Sequence, residues 1–160
     1  MAHAFGPSTS SEVSDREQRA RAVAVQPDGK LVVAGENRPG LPDDDFDFTL
    51  VRYLTDGSLD PSFGDGGIAT ATGVIGRAFA VAIQPDGKLV VAGDAPGATD
   101  PADLRVARFH PDGTVDTDFG SLGMVTVDVA QAINSATNVV VAPDGKIIVE
   151  NGRIIPEELR

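Results

Sequence analysis

Residues Ala80 to Gly93 read AVAIQPDGKLVVAG. The chain carries almost the same string from Ala22 to Gly35, AVAVQPDGKLVVAG, and a degraded copy from Val139 to Glu150, VVVAPDGKIIVE. Pro27, Pro85 and Pro143 head the three turns at a spacing of 58 residues. Each string reads as a β-hairpin. Pro85 presets φ near −65° for the first central position of a type I turn, Asp86 suits the second, and Gly87 supplies the left-handed residue that closes a three-residue loop with a bulge. Gly29 and Gly145 hold the same place in the other copies. The flanking runs are short, rich in Val, Ile, Leu and Ala, and bounded by Gly, Pro or Asp, which favours strands over helices. Both faces of Phe79-Ala80-Val81-Ala82-Ile83 are apolar, the mark of a strand covered by neighbours on both sides.

Outward from the hairpin, each unit repeats one order. In the first, a loop rich in Pro and Asp (ENRPGLPDDD) leads to a strand from Asp47 to Tyr53, the turn Thr55-Asp56-Gly57, the segment SLDPSFGDGG, and a fourth strand from Gly67 to Thr72. In the second, GDAPGATDPA is followed by a strand from Asp103 to Phe109, the turn Pro111-Asp112-Gly113, TVDTDFG, and a strand from Gly123 to Val129. The third unit keeps its first hairpin; Asn151-Gly152 reads as a turn, Arg153 to Ile155 as the start of a strand, and Pro156 to Leu159 as one helical turn with Pro at its first position. Phe5-Gly6 stands where Phe63-Gly64 stands one period later, so residues 1–18 read as the tail of a preceding unit or an edge strand. The units then run 19–76, 77–134 and 135–160, in one continuous repeat domain. A period of this length with four short strands is too long for one rung of a solenoid and fits a four-stranded propeller blade. About 2.5–3 such units do not close a ring, so the expectation is an all-β, β-propeller-like array of tandem blades, open or fragmentary.

Composition bounds the chemistry. The chain has 160 residues, no Cys, no Trp, one Tyr and seven Phe, so its core is aliphatic with a few phenylalanines and carries neither disulfides nor thiolate metal sites. The net charge of −11 argues against nucleic acid as a partner. No apolar run reaches the length of a membrane span, and the first residues show no signal peptide. Two histidines, His3 and His110, have no partner at metal-ligand spacing, and nucleophile-elbow, Walker and dinucleotide fingerprints are missing. No catalytic residue and no cofactor is therefore expected. Asp43, Asp44 and Asp45 with Asp47 form the best calcium candidate, but their spacing does not follow the calcium-loop pattern and the second unit does not repeat it, so no metal is expected there.

Two recurrent features look structural. Arg52 and Arg108 hold the same place in the third strand, each eight residues before an aspartate, Asp60 and Asp116. By alternation Arg52 shares a face with Phe48 and Leu50, where an unpaired guanidinium costs several kcal/mol. Each arginine is expected to be tied to its own unit's aspartate or to a carbonyl, as a pin. Phe63 and Phe119, each before Gly, are expected to plug the space between adjacent sheets. Lys30, Lys88 and Lys146 end the hairpin turns and are expected to be solvated.

The motifs VAVQPDGKLVVAG, DFTLVRYLTDGSLDPSFGDGG, VAIQPDGKLVVAG and LRVARFHPDGTVDTDFG resemble the delta-60 repeat, a bacterial module predicted to build β-propellers. The resemblance spans roughly Arg19 to Val149. It implies large multi-repeat proteins, often exported, hence an extracellular setting for a fragment of a typical member; it supplies no catalytic residues. The functional expectation is a non-catalytic scaffold or binding module meeting a protein or glycan, with self-association through open sheet edges. Two alternatives stay open: a glycan hydrolase or lyase of the propeller type, which needs Asp, Glu, Arg and His converging at one end of the blades, and a purely structural repeat.

Overall fold

The computed structural model describes residues 18–37, 46–95, 103–127 and 136–150. Every regular element among them is a strand. The first sheet is the meander β1 (Gln18–Val25), β2 (Leu31–Asn37), β3 (Asp47–Tyr53) and β4 (Ile68–Ile75). The second is β5 (Arg77–Ile83), β6 (Leu89–Ala95), β7 (Asp103–Phe109) and β8 (Met124–Val127). β9 (Asn138–Val141) and β10 (Ile147–Glu150) form a third, two-stranded sheet. All neighbouring strands are antiparallel, and the described strands do not close a ring. The fourth strand of the first sheet runs past Thr72 to Ile75, whereas β8 is described only over Met124–Val127. The expected turn at Asn151, the strand at Arg153 and the helical turn at Pro156 lie outside the described residues, as do 1–17.

The turns form as their residues dictate. Gly29, Gly87 and Gly145 stand at φ of 84°, 84° and 85°, the left-handed region where a Cβ is strained. Gln26 N–H donates to the Lys30 carbonyl at 2.8 Å and Gly29 N–H to the Gln26 carbonyl at 2.9 Å, and the Gln84 and Ala142 turns repeat these bonds. Asp28 and Asp86 accept from the backbone N–H two residues on, at 3.2 and 3.1 Å, holding the loop from its side-chain oxygen.

The sheets pack face to face through two cores built from the same positions. Between the first and second sheets lie Val32, Ala34, Phe48, Leu50 and Phe63, against Leu89, Val91, Ala107 and Phe109. Between the second and third lie Val90, Ala92, Leu104, Val106 and Phe119, against Ile147 and Val149. The latter set is the former moved along by one repeat. Phe63 is fully buried and Phe119 nearly so, each filling the gap between neighbouring sheets, and burying a side chain of that size stabilises by about 2–3 kcal/mol. β5, in the middle, is covered on both faces, although Val81, Ala82 and Ile83 keep partial exposure. Gly93 permits the closest approach: a Cβ there would overlap the Arg77 carbonyl oxygen and lie 2.9 Å from Cζ of Phe48, whose ring reaches across from the first sheet.

Candidate functional site

Two ends of the sheets differ in chemistry. At the hairpin-turn end sit the recurrent arginines. Arg52 is buried; its Nε donates to Asp60 Oδ2 at 2.9 Å, one terminal nitrogen to Ser62 Oγ at 3.2 Å, and the other to the Pro111 carbonyl of the second sheet's turn at 2.6 Å. Its guanidinium lies 4.5 Å from the centre of the Phe63 ring. In the second unit Arg108 Nε donates to Asp116 Oδ2 at 2.7 Å and stacks 4.5 Å over Phe119. Pin and plug are thus one assembly, repeated. Arg52 holds its own unit's aspartate and a carbonyl at once, and the carbonyl belongs to the neighbouring unit.

The lysines require a correction. Lys30 Nζ lies 3.0 Å from Asp60 Oδ2 and Lys88 Nζ 2.9 Å from Asp116 Oδ2, each only about a quarter exposed. The turn end points each ammonium inward at the buried aspartate, which takes a second cation, while the exposed turn aspartates Asp28 and Asp86 lie farther off at 3.6 and 4.0 Å; Lys146 stands 3.4 Å from its own exposed turn aspartate, Asp144. The Asp60 carboxyl is held far below the ordinary carboxylate range, first by hydrogen bonds from Ser62, whose hydroxyl donates at 2.6 Å, then by Lys30 and Arg52. Burial alone would raise Asp116, but hydrogen bonds from Lys88 and Arg108 outweigh it and the carboxyl titrates low. His110 Nε2 stands 3.7 Å from Asp116 Oδ1.

The opposite end carries a cluster that sequence reading missed. Glu36, near the end of β2, lies about 17 Å beyond Leu31, on the strand rise of about 3.4 Å per residue, and is only 1% exposed. Arg21 grips it with both fork nitrogens, Nε to Oε2 at 3.1 Å and a terminal nitrogen to Oε1 at 2.7 Å. Asp94, buried and one repeat after Glu36, is gripped the same way at 3.0 and 2.7 Å by Arg77, which stands one repeat after Arg19 rather than Arg21. Both guanidiniums lie over the Phe79 ring, Arg21 at 5.2 Å and Arg77 at 5.7 Å from its centre. The hydrogen bonds to Glu36 and to Asp94 raise the respective arginines above their ordinary range, so both remain cations. The arginine side chains keep 31% and 46% of their surface, so this is a solvent-facing Arg–Phe–Arg stack on buried carboxylate anchors.

The backbone device behind the stack is a bulge. The ladder of β1 with β2 skips between Ala20 and Ala22, and that of β5 with β6 between Ala78 and Ala80. The residues left over are Arg21 and Phe79, which the bulges re-aim toward one another. Glu36 and Asp94 are both acids one period apart, a signal readable in the sequence; the bulges have no such signature.

Of the calcium candidates, Asp47 opens β3 and Asp43, Asp44 and Asp45 lie outside the described residues. Among the described residues no group of three or more acids and histidines is placed to hold a metal ion, and no helix is long and apolar enough to cross a membrane.

Two four-stranded meanders packed face on, with the same hairpin heading each, are successive blades. Residues 26–63 and 84–119 match the family described as Domain of unknown function (DUF5122) beta-propeller. The fold is β-propeller-like. Each matched stretch runs from the turn glutamine, Gln26 or Gln84, to the plug, Phe63 or Phe119, so it contains one hairpin and one arginine pin of the propeller blade. No curated protein matches the chain.

Proposed function

We propose that the chain is a non-catalytic propeller-type binding module of the delta-60 kind, and that a protein or glycan docks at the end of the blades where Arg21, Phe79 and Arg77 stack. The observation that carries this reading is the stack itself. Two cations and a ring are presented to solvent in fixed geometry, because each guanidinium is locked from behind by a buried carboxylate. Such preorganised, partly exposed Arg and aromatic groups are what binding surfaces use, since little freedom is lost when a partner arrives.

The same geometry speaks against the hydrolase and lyase alternative. A glycosidase acid must hold its proton near neutral pH. Of the four buried carboxylates among the described residues, Asp60 and Asp116 titrate low, held by hydrogen bonds from Ser62, Lys30 and Arg52 and from Lys88 and Arg108, and Glu36 and Asp94 are each gripped by both fork nitrogens of an arginine. The test is retention of the chain on immobilised neutral and uronic-acid oligosaccharides and on a panel of acidic proteins, with reducing-end release assayed in parallel. Retention that Phe79→Ala and Arg77→Ala reduce, without new reducing ends, is expected. Release of reducing ends would overturn the non-catalytic reading, and retention indifferent to both substitutions would move the site elsewhere.

A further inference from the structure

The two ends of the array carry apolar side chains open to solvent. On β1, Val23 and Val25 are 61% and 66% exposed; on the third sheet, Val140 and Ile148 are 49% and 44% exposed. These are the same two surfaces that meet inside the molecule. One repeat after Val23 and Val25 stand Val81 and Ile83, which pack on the core of the first sheet, and another repeat on stand Val139 and Val141, which pack on the core of the second. One repeat before Val140 and Ile148 stand Ala82 and Val90, which pack against the third sheet, and Val32 does the same service between the first and second. Both internal junctions therefore join one kind of face to the other, and among the described residues one of each kind is left unjoined.

We propose that a second copy of this chain covers them, head to tail: the Val140–Ile148 face of one copy seats against the Val23–Val25 strip of the other. The occupant is argued from continuity with the two internal junctions, which show that these positions, at this spacing, make a packed interface. Because the joining faces differ, the contact is heterologous. The described residues of two copies supply four four-stranded sheets and two hairpins, six sheets, inside the range of about four to eight blades that closes a propeller. Association thus runs through sheet faces rather than through the open edges expected from the sequence. The inference stands apart from the ligand site and does not depend on it.

Light scattering and sedimentation of the full chain are expected to give twice the chain mass, falling toward the single-chain mass on dilution. Val23→Asp with Val25→Asp, and separately Val140→Asp with Ile148→Asp, are each expected to give monomers, and mixing the two variants to restore a dimer through the one intact junction. Far-UV circular dichroism shows whether either variant is folded. The chain has no cysteine, so a milder pair keeps the test independent of folding: Val25→Cys in one preparation and Ile148→Cys in another, mixed and oxidised. Mixed cross-links in excess of self cross-links are expected. A single-chain mass at all concentrations, or cross-links of Val25→Cys with itself in preference, overturns the proposal.

Discussion

Replacing Arg52 by Met removes three donors while keeping the length of the apolar stem. Asp60 keeps Lys30 and Ser62, but the Pro111 carbonyl of the next sheet loses the guanidinium, and the Phe63 ring loses its cation. Removing one partner of a buried ion pair destabilises by about 3–5 kcal/mol, and the remaining lysine places the expected loss near the lower figure, about 3 kcal/mol. Arg108 is the internal control. It makes the same Nε contact with Asp116 and the same ring contact, but its side chain is 18% exposed against 8% for Arg52. Arg108→Met should therefore lose less, about 1–2 kcal/mol, in keeping with a partly solvated pair. Urea unfolding followed by far-UV circular dichroism reads both. Equal losses, or a loss below about 1 kcal/mol for Arg52→Met, would refute the view that Arg52 ties one sheet to the next.

Other outcomes follow from the same contacts. Gly93→Ala drives a methyl into the Arg77 carbonyl and the Phe48 ring, so a loss of about 3 kcal/mol, at the top of the overpacking range, is expected in the same unfolding assay. Asp60 and Asp116 titrate lower in the folded chain than when unfolded, so the stability they contribute is complete above about pH 5 and is lost as pH falls below about 4. Acid titration of the wild type should show this decline, and Asp60→Asn should flatten it. Gln84 Oε1 is buried with no hydrogen-bond partner among the described residues, so Gln84→Met should leave the melting temperature unchanged or raise it; a clear fall would show a missed bond. Millimolar calcium is expected to leave the melt unchanged, and a rise in melting temperature would assign a site to the aspartates near Asp47.

Much of the fold is written locally. Pro27, Asp28 and Gly29 specify their turn whatever surrounds them, and three turns a fixed 58 residues apart announce repeated hairpins. The burial of Phe63 and Phe119 and the meeting of Arg52 with Asp60 are also legible, because a guanidinium among apolar neighbours must find an acid and one recurs eight residues away. Other contacts are not local. Lys30 looks like any turn lysine; its inward path appears only when the folded sheet brings Asp60 beside the hairpin. Pro111 meets Arg52 across 59 residues, and nothing in either segment names the other.

The local sequence determined the strands, their turns and their repetition, because backbone preference and apolar patterning act over a few residues at a time. Tertiary packing decided where charge and apolar surface come together. Stacking sheets set Arg21 and Arg77 against Phe79, and left Val23, Val25, Val140 and Ile148 facing water. Contacts of that kind depend on bulges, sheet-to-sheet spacing and which face meets which, and these exist only once the sheets have stacked.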